Sequence, residues 1–210
     1  MRANAAVEPV VDNAKRRQIL DGARTVFLLH GFEGASMNDI AREAGVSKGT
    51  LYVYFESKER LFSVIVDEER AIHVEGIFDF DHDNADIEGV LTRIATEITT
   101  FLSQPRIISA MRAVMGIVER MPDLGVQFYE RGPCYSRNHL AAYLDTRVAA
   151  GQLDIPDTQL AAAQFLEMAN APVVKPMFFM ANNVPPTRER VREVVASAVR
   201  VFMAGYSVKQ

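Results

Sequence analysis

The stretch Ser36-Met-Asn-Asp-Ile-Ala-Arg-Glu-Ala-Gly-Val-Ser-Lys-Gly-Thr-Leu-Tyr-Val-Tyr-Phe-Glu-Ser-Lys58 carries the densest local signal in the chain. Ser36 with Asp39 three residues on forms a capping-box arrangement, which predicts a short helix over about 36–44. Gly45 suits the left-handed position that closes such a helix. A second short helix is predicted at about 47–53. Small Ala41 lets the two helices approach, and Ile40, Val46 and Leu51 bury the angle between them. Two short helices across a tight glycine turn make a helix-turn-helix. The second helix presents Ser47, Lys48, Gly49, Thr50, Tyr52 and Tyr54. Hydroxyls, an ammonium and phenols are the groups that meet phosphates and base edges. Gly49 costs about 1 kcal/mol of helix propensity relative to Ala, and its use is to let such a partner come close to the backbone.

Working outward, Ile19, Ala23, Val26, Phe27 and His30 recur at helix-face spacing from Ala14 until Gly31 stops the run. Phe55 reads as core, and Ser57 caps a longer helix with Leu61, Phe62, Ile65 and Val66 on one face. An acidic connector over 76–86 precedes the regular run Ile87, Val90, Leu91, Ile94, Ile98, Phe101 and Leu102, which Pro105 ends. Ile107 to Val118 form another amphipathic helix. The segment 123–150 is one long helix with a kink or break expected near Glu130–Gly132, because Pro133 sits inside it. Asp157 opens the next helix, which Pro172 and Pro176 should interrupt near Asn170, and Thr187 caps the last. Period-two alternation of strand length is missing. The reading is an all-α protein of about nine helices: a flexible arm over 1–12, a three-helix helix-turn-helix domain over 13–73 and a larger helical domain over 74–210.

The 210 residues suffice to bury a sizeable core, and 49% apolar with 24% charged excludes wholesale disorder. No stretch approaches the ~18 uncharged apolar residues of a membrane span, and the first residues lack the apolar core of a secretory signal. A single cysteine, Cys134, cannot form an internal disulfide, which points to a reducing cytoplasmic setting. The net charge of −4 is unevenly spread, with +2 over residues 13–60 and −5 over 61–210. A phosphate-binding surface confined to the basic head accommodates that imbalance.

From about Lys15 to Arg70 the chain resembles the DNA-binding domain of the TetR family of bacterial transcriptional regulators. The residues that carry the resemblance are Arg17-Gln-Ile-Leu-Asp-Gly-Ala, Phe27, Gly31-Phe32, Met37 to Gly45, Val46-Ser-Lys-Gly-Thr-Leu-Tyr-Val-Tyr-Phe and Lys58-Glu-Arg-Leu-Phe62. Phe128-Tyr-Glu-Arg-Gly-Pro133 with Leu140-Ala-Ala-Tyr-Leu144 resembles the AefR-like subgroup. The resemblance implies double-stranded operator DNA as partner, a homodimer, and a small-molecule effector held by the second domain. It implies that Ser36 meets a phosphate and that Lys48 and Thr50 reach into the major groove. Ser47, Tyr52, Tyr54 and Lys58 then hold the backbone, Gly49 permits the approach, and Arg42 is a further contact. For Tyr52 the residues themselves agree, because Leu51 already fills the adjacent inward position.

In the second domain, Phe101, Met111, Met115, Phe128, Tyr135, Phe165 and Met168 have the character of core filler or of a ligand cavity, which need the same residue types. Asn138 is a polar candidate to face such a cavity. The stripe Val191, Val195, Ala198, Val199 and Phe202 reads either as packing within the protomer or, following the resemblance, as the dimer interface. A calcium loop starting at Asp79 would need Gly at 84 and a carboxylate at 90, where Asn84 and Val90 stand. The four histidines lack metal-ligand spacing, and neither a Gly-x-Ser-x-Gly elbow nor a phosphate-cradling glycine motif is present. The expected function is therefore a ligand-responsive homodimeric repressor with no catalytic residue, metal or cofactor. A ligand-independent regulator or activator using the same DNA-binding domain is the alternative.

Overall fold

The computed structural model describes residues 13–79 and 84–208, with 69–75 described by backbone alone. The arm expected over 1–12 and most of the acidic run considered for calcium lie outside the described residues. Among the described residues there are ten α-helices: α1 (Asn13–Gly34), α2 (Met37–Glu43), α3 (Lys48–Tyr54), α4 (Lys58–Ile77), α5 (Ile87–Leu102), α6 (Pro105–Ile117), α7 (Pro122–Tyr129), α8 (Tyr135–Ala149), α9 (Thr158–Phe178) and α10 (Arg188–Tyr206). A π-helical turn, Glu130–Cys134, joins α7 to α8. Extended pairing among the described residues amounts to one bridge, Leu153–Ser207. The chain is all-α.

Two units pack separately, one through Ile65 and the other from Val66, so the division falls inside α4. In the first unit Phe27, Phe32 and Phe62 form a cluster with ring centroids 5.0 to 5.8 Å apart. Gly31 has φ 67 and ψ 175, so α1 is broken there, at the residue where the apolar periodicity stops. Leucine or phenylalanine could not take that backbone without strain.

The second unit is built on α5, α8, α9 and α10, whose Ile94, Leu144, Phe165 and Phe202 meet in one core. A smaller cluster of Ile108, Val174 and Met177 ties α6 to the end of α9. The break expected near Glu130–Gly132 is the π-helical turn, which contains Pro133. Proline has no N–H for the preceding turn's carbonyl, and widening the helix by one residue accommodates the loss.

The interruption of α9 near Asn170 does not occur, because the helix runs through both Pro172 and Pro176 to Phe178. Burial explains it. Phe165, Leu166, Ala169, Val173, Val174 and Met177 are buried on either side of Pro172, and that burial outweighs the ~3 kcal/mol penalty of an interior proline. Side chains also serve carbonyls along this helix: Asn170 Nδ2 donates to Leu166 O at 2.6 Å, Thr99 Oγ1 to Ala169 O at 3.2 Å and Arg112 Nη2 to Met177 O at 3.2 Å.

Candidate nucleic-acid interface

The angle between α2 and α3 is set by a few close fits. Ser36 caps α2, its Oγ accepting from Asp39 N at 3.2 Å and donating to Asp39 Oδ2 at 2.5 Å. Gly45 turns the chain with φ 61. Ser47 then caps α3, its Oγ accepting from Thr50 N at 3.0 Å. Behind this corner α1 lies tight against the end of α2. A Cβ on Gly22 would stand 2.7 Å from the Ala44 nitrogen, which leaves room for glycine alone. Gln18 Nε2 donates to Ala44 O at 2.6 Å from the same side of α1. Of the three residues expected to fill the angle, Ile40 and Leu51 are buried and Val46 is half-buried, and the small Ala41 is buried beside them.

Leu51 is the one buried residue of α3, and Lys48, Gly49, Tyr52 and Val53 stand exposed to a partner. Tyr52 is 45% exposed, and the Lys48 ammonium lies 6.0 Å from its ring centroid. A cation over a phenol face is held near one direction at little cost, so Lys48 and Tyr52 form a joint donor surface. The Ser47 and Thr50 hydroxyls lie 2.8 Å apart and bond one another, which uses one hydroxyl proton of the pair and leaves the other able to donate. A Cβ on Gly49 would meet only Ser47 Oγ, at 3.8 Å. The fold itself leaves room for a side chain at Gly49, so the glycine does not answer a packing demand. Tyr54 is half-buried and Phe55 is core.

Lys58 requires a correction. Its Nζ donates to Phe32 O at 2.7 Å and to Ala35 O at 3.1 Å, and lies 4.3 Å over the Phe32 ring. Those carbonyls sit at the end of α1, and a partly buried ammonium satisfies them far better than water reaches them. Lys58 holds the three-helix unit together instead of standing free for a phosphate. Arg42 is exposed and its Nη2 donates to Asp39 Oδ1 at 2.6 Å. The Asp39 carboxyl is held below the usual carboxylate range, first by the Ser36 hydroxyl and then by Arg42.

The candidate pocket residues do not gather as a set. Met115 is 62% exposed and Asn138 is exposed, its Nδ2 lying 3.6 Å from Cys134 Sγ. Residue types were right for a cavity, but the phase of each helix turns these two outward. Phe101 and Phe165 belong to the main core, Met111 packs against both clusters, and Tyr135 stacks on His139 at 4.0 Å. Phe128 is half-buried.

The candidate interface stripe is corrected more sharply. Val191, Val195, Ala198, Val199 and Phe202 are 6% exposed or less and lie in the protomer's own core. Phe202 packs edge-on against Phe165 at 5.3 Å. An apolar stripe at helical spacing is what a helix buries first, and here it is buried already. What remains open is the flank of α10 beside that stripe. There a groove of about 680 Å³ runs between α9 and α10, lined by Met168, Ala171 and Pro172 on one wall and Ala196, Ser197 and Val201 on the other, with the buried Val194 and Ala198 also lining it. Glu167, Arg190, Glu193 and Arg200 also line it. Sequence reasoning passed over this face because its residues are small and mixed in polarity. It also passed over Val53, which is 71% exposed on α3.

Comparison with known proteins bears on both units. Residues 19–65 match the family described as bacterial regulatory proteins, tetR family, and residues 89–208 match the AefR-like transcriptional repressor, C-terminal domain. The chain is 39% identical over 67 residues to the HTH-type transcriptional repressor AcnR of Corynebacterium diphtheriae, covering 30% of this chain and 35% of that protein. It is 42% identical over 74 residues to the HTH-type transcriptional regulator UidR of Escherichia coli K12, covering 32% of this chain and 38% of that one. The matched stretch thus spans little more than a third of these relatives. Whole-chain likeness comes from solved structures. A Mesorhizobium loti protein described as a TetR-family transcriptional regulator superposes with a TM-score of 0.82 at 26% identity, covering 93% of this chain and 98% of that one. The flavonoid-responsive regulator FrrA superposes with a TM-score of 0.76 at 27% identity, covering 95% and 100%.

Proposed function

This chain belongs to the TetR family of bacterial transcriptional regulators, with an AefR-like C-terminal domain, and from that premise we propose that it is a homodimeric, ligand-responsive repressor of operator DNA in the cytoplasm. The observation that carries the DNA reading is the outward face of α3. Lys48, Gly49, Thr50 and Tyr52 stand away from the core on a helix whose angle is locked by Gly22, Ser36 and Gly45. A rigid short helix with one buried residue and a donor-rich outer surface fits a major groove. Lys48 and Thr50 read the groove, Ser47, Tyr52 and Tyr54 hold phosphates, the backbone amides at the start of α2 beside Ser36 meet another, and Arg42 adds charge at the edge.

A recognition unit this small needs a partner copy to bind half-sites about 34 Å apart. The α9–α10 groove supports a two-fold arrangement. Its lining holds both Glu167 and Glu193 and both Arg190 and Arg200, so the same surface can meet itself with opposite charges facing. The second unit is the seat of the effector in this reading, and FrrA's description as flavonoid-responsive supports the expectation. Because α4 runs from one unit into the other, an effector that displaces α4 changes the spacing of the two α3 helices. A coupling of about 3 kcal/mol lowers operator affinity some hundredfold.

The test is a binding titration with a duplex selected from a random library by the wild-type protein. Lys48→Ala and Tyr52→Ala each weaken its binding by about 1–3 kcal/mol per protomer while sedimentation still reports the dimer. Wild-type affinity in either variant would refute the docking of α3.

A further inference from the structure

Seven residues make α3 a rod about 10 Å long, with roughly two turns to offer. Its inner side is set by Leu51, fully buried. At about 100° per residue, Gly49 and Val53 each lie roughly 160° from Leu51, one on either side of the line opposite the core. They are one helical turn apart. Tyr52 flanks that line on one side and Thr50 on the other, each about 100° from Leu51, while Lys48 and Tyr54 start lower on the same two sides, about 60° from Leu51. The polar groups of this helix therefore sit at its shoulders, and the crest, which goes deepest into any groove the helix enters, is apolar. Val53, 71% exposed, is the only side chain beyond hydrogen on it. A single exposed valine on a surface is ordinary. On the crest of a helix whose shoulders carry an ammonium, phenols and hydroxyls, it faces whatever occupies the floor of the groove.

The floor of the major groove offers donors, acceptors and one apolar group, the C5 methyl of thymine. Valine has no donor or acceptor, so pressing it against a guanine or adenine edge would strip water from polar atoms and return nothing. Gly49, with open space around it, lets the crest settle to the depth at which a valine methyl touches a base edge. We propose that Val53 reads a thymine methyl, making it a specificity-determining residue. This rests on the DNA reading of α3 above and names one base that the reading must contain.

The experiment uses the full chain and the library-selected duplex. Each thymine is replaced in turn by deoxyuridine, which keeps the base pair and removes only the methyl. At one thymine in each half-site the wild type loses about fourfold in affinity per half-site, the worth of one buried methyl-sized group. Val53→Ala binds the thymine duplex more weakly by a similar factor and loses nothing further on the deoxyuridine duplex. Lys48→Ala weakens both duplexes alike. The proposal is overturned if no thymine replacement affects the wild type, or if Val53→Ala keeps the full methyl dependence. A library that enriches no sequence overturns the DNA reading along with it. An enriched site indifferent to methyl removal overturns the Val53 assignment alone.

Discussion

Of the seven residues of α3 one is buried, whereas α10 buries Val191, Val194, Val195, Ala198, Val199 and Phe202 along its nineteen. Both helices attract a functional reading in sequence, but for opposite reasons. On α3 the signal is an oddity: glycine, lysine and phenols on a helix too short to need them for packing. On α10 the signal is regularity, and regularity at helical spacing is the signature of burial in the chain's own core. The contrast teaches where to look for a partner surface. Under the proposed dimer it lies where residues have no reason internal to the protomer, which on α10 means the flank carrying Ser197 and Val201 and not the centre of the apolar stripe.

The largest effect tests that division directly. Phe202→Ala empties a side chain that is 1% exposed and touches Phe165 and Tyr206. It should lower unfolding stability by about 3–5 kcal/mol in urea titrations. Val201→Arg at the edge of the stripe, at a position 54% exposed beside the groove, should leave protomer stability within about 0.5 kcal/mol and weaken self-association at least about tenfold by sedimentation equilibrium. If Phe202→Ala split the dimer without loss of protomer stability, the two faces of α10 would have to exchange roles.

A second comparison sets two lysines apart. Lys48 is exposed beside Tyr52, and Lys58 is spent on Phe32 O and Ala35 O. Lys58→Ala should cost about 2 kcal/mol of stability, since it leaves two carbonyls at the end of α1 without their charged donor. Lys48→Ala should leave the melting transition in place and reduce the salt slope of DNA binding by about one per protomer. A salt slope that falls by the same amount in Lys58→Ala would return that residue to the phosphate contacts.

What was legible in the sequence is local. Ser36, Asp157 and Thr187 each accept from the backbone N–H three residues on, and that bond needs nothing beyond its own turn, so the helix starts could be read directly. Gly31, Gly45 and Gly151 stop helices with positive φ for the same reason. The rest depended on residues distant in sequence. The target of Lys58 lies 23 and 26 residues away. The continuity of α9 through Pro172 and Pro176 depends on packing against α5, α8 and α10. For Met115 and Asn138 the residue type suited a cavity, but outward or inward is decided by helix phase against neighbours that no local pattern names. The candidate DNA surface was legible because its caps and its glycine turn lie within twenty-three residues, Ser36 to Lys58, even though Gln18 and Gly22 of α1 also brace the corner.

Cap electrostatics is a property that α2 and α10 share, and it supplies the smallest effect. Asp39 is held below the usual carboxylate range by the Ser36 hydroxyl and then Arg42, and Glu189 by backbone hydrogen bonding and then Thr187. A carboxylate whose pKa is lower folded than unfolded stabilises the fold fully above its ordinary pKa, and the contribution fades as pH falls through the lowered value. Both groups are solvent-exposed, so each contribution is small and screened by salt. Asp39→Asn and Glu189→Gln should each lower the melting temperature slightly at pH 7, and each difference from the wild type should shrink progressively as the pH falls below the ordinary carboxylate pKa of about 4. The same decline in both variants would mean that the recognition corner and the buried helix are capped by one mechanism, although they use their side chains so differently. A difference that persists undiminished in acid for Asp39→Asn alone would mean that its role at the α2 corner is steric. The bond from Ser36 to Asp39 N would then position that corner without help from charge.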